Sequence, residues 1–523
     1  MSFGRFLRAA GCVALAAGVA MGTAAGSASV EVGEAAEEEW GAAAMAAMDS
    51  ALGGQEVDPF NGVVRVEVVS AVPDVFLPWR TEIEESSGSG VVVPGKRILT
   101  NAHVASGATH LTVRKQSSDD PYPAHVEFID NDCDLALLTV DDESFFDDIE
   151  PLPWGGSPRV RMRVVVAGFP KGGEEISFTE GIVSRVELQT YVLSLRELPA
   201  AQIDAAINSG NSGGPVLDVE TEELVGIAFQ AMEDGDDIGY IIPMEIVQHF
   251  FADCEDGRVD GFGSAGFRCQ TLENPDMRRY LEMEPGEMGV RISYVSPWLG
   301  EDSVRVGDVL MAVDGVAVSD MGKVRLGDGV ARSWREILYG KQVGESITYD
   351  ILRGGERLTV TNVVSRDQVR VRPWLAGERP DYYVFGGLVF TTLTMDYYSC
   401  LRTAPAGSFD APRHEQDDIV MLSAVLNDTV NMGIRSTGWP VVKVGGEDVG
   451  TLQELAERLD AWEEPWIEIE LMATFKTEDV PVWMVLDTAK ARAAMPGILD
   501  RYRVPADRAP GLLGAQTRSE KDP

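Results

Sequence analysis

The sequence is poor in positive charge. Its 523 residues include 44 Lys and Arg against 84 Asp and Glu, so the formal net charge at pH 7 is −40. A chain with so few cations cannot displace the counterions of a phosphate backbone, and an anionic lipid surface repels it. The composition therefore argues against nucleic acid as a partner. It is typical of a highly soluble protein, and a specific cationic partner is the alternative.

Long apolar runs are also missing beyond the first residues. No later segment approaches the ~20 consecutive apolar residues of a transmembrane helix, so we expect no stable membrane insertion. The five cysteines are too few for a disulfide framework in a chain of this length. Cys254 and Cys269 are the one close pair, and the sequence leaves open both a bridge between them and free thiols. No cluster of ligand residues indicates a metal or an organic cofactor.

The N-terminus has the composition of a targeting segment. Arg5 and Arg8 precede an Ala-rich apolar run, and small residues follow it. This order predicts a secretory signal peptide over residues 1–28. Residues 29–60 are acidic and Ala-rich, and we expect them to form a weakly ordered arm. The sequence thus predicts an exported protein, periplasmic or otherwise extracytoplasmic.

A strand-rich region covers residues 61–255. Short runs of Val, Ile and Leu recur there, separated by turn residues, and no long helical period interrupts them. The runs fall into two groups with a break near residues 151–158. Many short strands at such spacing favour antiparallel barrels, so the pattern predicts two of them.

The region after the barrels contains a weak internal repeat. Residues 306–318 and 439–449 each combine a strand, a turn and a second short strand, and helix-prone residues and a β-rich run follow each. Two such copies, about 130 residues apart, predict two small homologous α+β modules. We place these modules at residues 262–366 and 380–490. The charged, Pro-containing tail, 491–523, is predicted to be a partly ordered C-terminal extension.

Three residues have the chemistry of a nucleophilic triad. In chain order they are His103, Asp134 and Ser212. A Ser hydroxyl is a weak nucleophile at neutral pH, so a base must accept its proton, and a His with a reference pKa near 6.5 suits that role. A carboxylate orients the imidazole and stabilises its charged form. Asp130 and Asp132 lie close to Asp134 in the chain and remain alternatives for the carboxylate.

Glycines surround the predicted nucleophile. Gly210 allows the backbone to turn so that its own N–H group and that of Ser212 point at one place. Gly210, Asn211 and Ser212 are therefore the predicted oxyanion hole. The loss of one donor from such a hole lowers the rate ~10²–10³-fold.

The sequence around these residues resembles the HtrA/Deg family of serine proteases, also called Do-like. The family motifs T-N-A-H-V, D-[LIV]-A-[LV]-L and G-N-S-G-G match residues 100–104, 134–138 and 210–214. The resemblance extends over residues 63–250, and the downstream repeats are similar to PDZ domains. It implies a mostly β protein, in which a trypsin-like double β-barrel is followed by two PDZ-like α+β domains.

The resemblance also implies roles and an activity. His103 is the expected general base, Asp134 its orienting acid and Ser212 the nucleophile. The expected activity is ATP-independent cleavage of unfolded or damaged proteins by a serine endopeptidase without a cofactor. The expected assembly is a homotrimer or a multiple of trimers. The alternatives are a non-catalytic holdase that keeps the protease fold and an adaptor whose PDZ-like modules bind C-terminal peptides.

The residues near the nucleophile predict the substrate preference. Trypsin-like relatives of this fold that bind basic side chains carry an acid six positions before the nucleophile, where this chain has Ala206. Ile207 is its neighbour, and Phe229 to Met232 are expected to form another wall. Together they predict a shallow apolar pocket that favours Val, Ala or Leu. Asn211 is neutral and cannot pair with a new N-terminus, so we do not expect activation by a cut.

Each PDZ-like module has a candidate loop for the carboxylate of a C-terminal peptide, because a PDZ domain adds such a peptide to a sheet edge. The candidate residues are Met288, Gly289 and Val290 in the first module and Gly386, Gly387 and Leu388 in the second. Both loops depart from the usual Gly-Leu-Gly-Phe pattern. A module that serves assembly only is therefore the alternative.

Overall fold

The computed structural model describes most of the chain after residue 58. The described residues are 59–118, 120–171, 175–208, 210–231, 238–326, 329–401, 405, 407–410, 412, 417–435, 437–475 and 478–512. The predicted signal peptide, 1–28, and nearly all of the predicted acidic arm, 29–60, lie outside the described residues.

Two closed antiparallel barrels form the first half of the described chain. The first contains β1 Val63–Pro73, β2 Thr81–Val93, β3 Arg97–Thr100, β4 Ala108–Lys115, β5 Tyr122–Asp130 and β6 Leu135–Val140. The second contains β7 Arg163–Gly168, β8 Ser177–Thr190, β9 Glu197–Ile203, β10 Pro215–Asp218, β11 Leu224–Ala231 and β12 Gly239–Pro243. The strand orders are β1-β2-β3-β6-β5-β4 and β10-β11-β12-β9-β8-β7. The prediction of two barrels is confirmed.

Three apolar cores hold the barrels together. In β1, Val64, Val66 and Val68 alternate with more exposed residues and point into the first barrel. A second core fills the other barrel. The third lies between the barrels, where Tyr191 stacks on Phe229 with ring centroids 4.6 Å apart. Two helices complete this domain, α1 Ala102–Ala105 and α2 Met244–Asp253.

The first module is an antiparallel sheet with short helices. Its elements are β13 Phe267–Gln270, α3 Pro275–Tyr280, β14 Val290–Val295, β15 Val309–Val313, β16 Val316–Ala317, β17 Lys323–Arg325, β18 Ala331–Ser333, α4 Arg335–Tyr339, β19 Ser346–Arg353 and β20 Glu356–Val363. The main sheet has the order β13-β14-β15-β19-β20, with β16 paired to β15. β17 and β18 form a separate hairpin.

The second module repeats this order with one strand added. Its elements are β21 Tyr382–Phe385, β22 Leu388–Thr392, α5 Met395–Ser399, β23 Val420–Val425, β24 Trp439–Val444, β25 Glu447–Asp448, α6 Leu452–Asp460, β26 Trp466–Phe475, β27 Glu478–Asp487 and α7 Thr488–Tyr502. The sheet order is β21-β22-β23-β24-β26-β27, with β25 paired to β24. From β22 onward the main-sheet strands follow the order of the first module, but the described part of the second module has no counterpart of the β17–β18 hairpin and adds α7 after its last strand.

Helix α6 shows how the local sequence builds this module. The Thr451 side chain accepts a hydrogen bond from the Glu454 N–H group, 3.0 Å, and so caps the helix start. Leu452, Leu455 and Leu459 follow at helical spacing and are buried against the sheet.

The predicted boundary at residue 490 is wrong, because it falls inside α7. Ala491 and Ile498 on this helix are fully buried against the second module. Farther along, the Ala509 N–H group donates to the Tyr382 carbonyl, 2.9 Å. The charged α7 residues Arg492 and Asp500 are exposed, while apolar residues at helical spacing face the module. Residues 491–512 therefore belong to the second module.

The long hairpin of β1 and β2 reaches the second module. At its tip, the Phe76 ring lies edge-on to Tyr397 with centroids 5.0 Å apart, and Trp79 lies edge-on to Tyr382 at 5.3 Å. The Ser423 hydroxyl donates to the Phe76 carbonyl, 3.1 Å. The first barrel is thus attached to the second module mainly by apolar contacts.

Two further observations concern the cysteines and the helices. Cys254 and Cys269 are free thiols, so the alternative of a bridge between them is wrong. Of the helices in the described part of the chain, none has the length and hydrophobicity that a membrane span needs.

Candidate active site

His103 and Asp134 are brought together at the ends of two neighbouring strands. His103 lies on α1, directly after β3, and Asp134 directly precedes β6, which pairs with β3. The His103 Nδ1 atom is 2.7 Å from Asp134 Oδ2, and the His103 backbone N–H group donates to Asp134 Oδ1, 2.8 Å. One carboxylate therefore holds both the ring and the backbone of the histidine. It selects the tautomer with the proton on Nδ1, which leaves Nε2 free to accept a proton.

The backbone at Asp134 is unusual. Its φ of +56° lies in the left-handed region, which costs an Asp residue energy unless the surroundings enforce it. The buried Asn101 side chain donates to the Asp134 carbonyl through Nδ2, 2.9 Å, and holds this conformation. Asn101 is thus a positioning residue that the motif contains but that our sequence interpretation did not single out.

Asp134 also sets the protonation of the histidine. Burial opposes the charged imidazolium, but the charge of Asp134 and its hydrogen bond outweigh burial and raise the pKa of His103 above its ordinary value. A base needs an unprotonated ring, so a reaction that depends on His103 would lose rate as the pH falls through this raised pKa.

Ser212 shares an open cleft of about 740 Å³ with His103 and Gly210. Its hydroxyl donates to the Phe229 carbonyl, 3.4 Å. Among the described residues, no hydrogen bond joins Ser212 to His103. Such bonds are often long or poorly aligned without substrate and tighten when it binds.

The glycines around Ser212 are required by close backbone contacts. Gly210 has a φ of +102°, and a Cβ atom there would clash with the Phe169 carbonyl. Gly213 has a φ of +84°, and a Cβ atom there would clash with the Ser89 carbonyl. The nucleophile loop therefore packs directly on the backbone of both barrels, where only glycine fits.

The predicted oxyanion hole is corrected at one residue. The Asn211 N–H group donates to the Asn208 carbonyl, 3.0 Å, within a tight turn, so it is not a free donor. The N–H groups of Gly210 and Ser212 have no hydrogen-bond partner among the described residues. These two groups remain available to an oxyanion.

Ser89 is a structural residue that the sequence analysis missed. It is fully buried, its hydroxyl donates to the Gly210 carbonyl, 2.7 Å, and it accepts from the Phe169 N–H group, 2.8 Å. Its own N–H group donates to the Ser212 carbonyl, 2.8 Å. Ser89 thus fixes the nucleophile loop to β2. A Ser between two glycines inside a strand is the signal that could have revealed it, because such glycines mark a close backbone approach.

The comparisons with known proteins agree with this geometry. Residues 88–227 match the family described as trypsin-like peptidase domain, and residues 371–511 match the family described as PDZ domain. Protease Do-like 4, mitochondrial, of Arabidopsis thaliana is 35% identical over 454 residues, which cover 85% of this chain and 84% of the relative. Protease Do-like 2, chloroplastic, of the same plant is 34% identical over 481 residues, which cover 88% and 78%.

The chain belongs to the HtrA/Do-like family of serine proteases. A solved structure of the HtrA-type protease AlgW with a tripeptide is 25% identical, with a TM-score of 0.46, and covers 58% of this chain and 93% of that one. The resemblance stated from the motifs is confirmed, as is the fold class, and the chain is a serine endopeptidase.

Two neighbouring carboxylates of the protease were alternatives for the acid, and neither contacts His103. The buried Asp130 accepts from the Asp132 N–H group, 2.8 Å, and from the Cys133 thiol, 3.2 Å. Burial, and then the charge of Asp132, raise the pKa of Asp130 to about 7. Burial also raises the pKa of the Cys133 thiol, which makes it an inert core residue.

The residues predicted to form the specificity pocket are not all in place. Phe229 is 4% exposed and its ring stacks on Tyr191 between the barrels, so its side chain cannot form a pocket wall. Ile207 is buried against the second barrel core and Ala206 is half-buried. Met232 lies outside the described residues.

The predicted carboxylate loop of the first module is wrong. Met288, Gly289 and Val290 lead into β14, and β14 is paired with β13 on one side and β15 on the other. A peptide can be added only to a strand with a free edge. The two outermost strands of this sheet are β13 and β20, since no described strand pairs with the outer side of either, and β13 is the one next to β14.

The predicted loop of the second module is also wrong. Gly386 and Gly387 are the two central residues of a hairpin turn between β21 and β22, with φ of +56° and +83°. Leu388 is the first residue of β22, which is paired on both sides. The Asn431 side chain donates to the Gly386 carbonyl, 2.9 Å, and α7 covers the turn. No peptide can reach these residues.

Proposed function

We propose that this protease is an ATP-independent serine endopeptidase that cleaves unfolded or damaged proteins with His103, Asp134 and Ser212. The observation that supports it most strongly is the double contact of the Asp134 carboxylate with His103, in the cleft that also contains Ser212. A holdase would have no need of this geometry. The motif order and the family membership support the same assignment.

The geometry allows a complete acyl-transfer cycle. The Ser212 oxygen attacks the substrate carbonyl carbon while His103 Nε2 takes the hydroxyl proton, and the negative charge develops on the carbonyl oxygen. The N–H groups of Gly210 and Ser212 stabilise that oxygen. The protonated ring then gives its proton to the departing amine, and an ester on Ser212 remains. Water, deprotonated by the same ring, attacks the ester and restores the hydroxyl.

Substrate selection combines a pocket and a sheet edge. We propose that Ala206, at the position where an acid would attract basic side chains, favours small aliphatic residues before the cut. We also propose that C-terminal peptides of substrates add to β13 of the first module. Its free edge supports this, whereas β22 of the second module has none.

Assembly and location complete the proposal. We propose a homotrimer or a multiple of trimers, and an export signal over residues 1–28 that places the mature protein outside the cytoplasm. The names of two relatives assign them to mitochondria and chloroplasts, so an organelle signal is the alternative outcome. Mass spectrometry of the mature N-terminus and light scattering of the purified protein test both statements.

The decisive experiment compares the purified protein with a Ser212→Ala variant on unfolded casein. We expect cleavage and fluorophosphonate labelling to disappear in the variant, while the melting temperature stays unchanged. Cleavage of casein by the variant at the wild-type rate would exclude Ser212 as the nucleophile. Suppression of casein aggregation by a wild-type protein that cuts nothing would instead favour a holdase.

A further inference from the structure

The cleft that contains Ser212 extends over the outer face of the first barrel. On β1, Arg65 and Glu67 alternate with buried valines, so their side chains point outward, and both line the cleft. None of the described residues of the predicted specificity pocket lines it. This part of the cleft is therefore separate from the pocket predicted for the residue before the cut.

The proposed reaction determines which part of a substrate would lie there. His103 gives its proton to the departing amine, so the chain that follows the cut leaves past the His103 ring. His103 is carried by the first barrel and lines the same cleft. The outer face of this barrel would thus contact the residues that follow the cut.

Lys171 is a cation of this cleft without an acidic partner in the described chain. It is exposed, lines the cleft and forms no ion pair with any described residue. Its backbone nitrogen lies directly beside Gly210, since a Cβ atom added to Gly210 would be 2.5 Å from it. Lys171 therefore contributes positive charge at the Gly210 end of the cleft.

Arg65 adds positive charge at the same end. It lies opposite Ser89 on β2, and the Ser89 hydroxyl donates to the Gly210 carbonyl, 2.7 Å. The Arg65 Nη2 atom is 3.2 Å from Glu67 Oε1, while Glu67 Oε2 accepts from Arg114 Nε, 2.9 Å. One carboxylate is thus shared by two guanidinium groups and compensates Arg65 only in part.

The second acid that lines the cleft lies at its far end. Glu85 is four residues from Ser89 on β2, which is about 13 Å along an extended strand. The cations of the cleft are thus near Gly210, and Glu85 is away from them. In a chain with a net charge of −40, most of the surface repels an acidic peptide, so a local group of cations decides where an acidic side chain can bind.

We propose that Lys171, together with Arg65, forms a subsite for an acidic side chain at the first or second position after the cut. A carboxylate at one of these positions pairs with the Lys171 ammonium group. The inference rests on the proposed function, because it needs a chain that is cut at Ser212. Substrates are then selected on both sides of the cut, by a small aliphatic residue before it and an acidic residue after it.

The test uses the full chain and internally quenched peptides that have Val before the cut and Glu, Gln or Lys at the first or the second position after it. We expect kcat/KM to be about threefold higher for Glu than for Gln at one of these positions, the size expected of a partly exposed ion pair, and lower still for Lys. The same exchange at the third position before the cut should have no effect. Mass spectrometry of the products verifies that the cut follows Val.

Lys171 variants assign the preference to this side chain. Lys171→Gln should bring the ratio of kcat/KM for Glu and Gln peptides close to one, and Lys171→Arg should keep most of the ratio because the charge remains. Lys96→Gln is the matched control, since Lys96 is an exposed lysine of the same domain, paired with Glu143, that does not line the cleft. Its ratio should equal that of the wild type.

The salt dependence gives a second readout, which a merely structural role of Lys171 would not change. The Debye length falls from about 10 Å at 0.1 M salt to about 3 Å at 1 M, so the ratio of the wild type should approach one at 1 M. Equal cleavage of Glu and Gln peptides, or a ratio that survives Lys171→Gln or 1 M salt, would overturn the subsite. In each of these cases cleavage would still require Ser212, whereas cleavage by Ser212→Ala, or of no peptide at all, would reject the proposed function as well.

Discussion

The two PDZ-like modules share one strand order but differ at one edge of the sheet. In the first module β13 is the outermost strand, whereas in the second the corresponding strand, β22, is covered by β21. β21 pairs with β22 over four residues and also packs against α6. It occupies the position that an added peptide would take. The edge strand β13 is thus unpaired on its outer side in the first module, whereas the second module covers the equivalent strand with its own strand β21.

The modules also differ in how they are attached to the protease domain. The first is joined mainly through polar contacts, in which Asp132 accepts from the Phe262 N–H group and from Arg366, and Arg335 pairs with Glu197. The second is joined through the aromatic tip of the β1–β2 hairpin. A charged joint responds to pH and salt, while an apolar joint responds to the loss of packing. Under the proposed function, the first module captures substrate and the second has a structural role.

The largest effect that tests this comparison is expected from Tyr383→Ala on β21. Tyr383 is 1% exposed, and its hydroxyl donates to Asp460 Oδ1, 2.7 Å. Its removal should destabilise the second module by about 3–5 kcal/mol, measured by urea unfolding. Tyr294→Ala is the control in the first module, because that side chain is 40% exposed. Equal losses of unfolding free energy in both variants would contradict the interpretation of β21 as a permanent strand of the second module.

A smaller loss is expected from Trp79→Ala at the hairpin tip. The change removes the contact with Tyr382, and about 2 kcal/mol of stability should be lost because the indole is only partly buried. Limited proteolysis should then release the second module more readily. Ile83→Ala, on the same hairpin but 77% exposed, should leave the pattern unchanged. Unaltered proteolysis of Trp79→Ala would show that the tip does not attach the module.

The stability of the loop beside the joint of the first module should depend on pH through the buried Asp130, which accepts from the Asp132 N–H group. The pKa of Asp130 is about 7 in the folded protein, above its ordinary value of 3.8, so the folded state binds the proton more tightly than the unfolded state. Stability should therefore fall as the pH rises from about 4 to about 7. Asp130→Asn should remove this fall and gain about 1 kcal/mol relative to the wild type between pH 5 and pH 6, measured by urea unfolding at both values. If the unfolding free energies of the wild type and of Asp130→Asn changed in parallel with pH, the role assigned to Asp130 would be refuted.

The smallest effect is local and needs no substitution. A saturating C-terminal peptide should slow hydrogen exchange of the amides in β13, because an added strand pairs with the free edge. Exchange in β22 should not change, since β21 already protects it. Protection of β22 by the peptide would show that β21 leaves its place.

Much of the chemistry could be predicted without a structure. His103, Asp134 and Ser212 lie in short motifs, and the spacing of the apolar runs predicted both barrels. The pairing partners of each strand could not be predicted from the sequence, because pairing depends on residues that are far apart in the chain. For this reason the loops at Gly289 and Gly386 resembled peptide sites, although the strands that follow them have no free edge.

The direction in which a side chain points could not be predicted from the sequence either. Phe229 follows Ser212 by 17 residues and was predicted to line the pocket. In the structure its ring stacks on Tyr191, and only its backbone carbonyl lies near Ser212. Ser89 shows the converse, since a plain hydroxyl in a strand carries three of the contacts that hold the nucleophile loop. Both outcomes follow from strand register, in which a shift of one residue reverses the face of every side chain.

The amino-acid sequence alone determined the family, the two barrels, the repeated module and the three reactive side chains, because each depends on local composition, periodicity or a short motif. Only the tertiary structure decided which edge strand stays unpaired, which glycines form a buried turn and which carboxylate contacts both chain ends of the first module. These features arise from pairing and burial between distant segments, and the free energy of such contacts depends on the whole fold rather than on any one stretch of the chain.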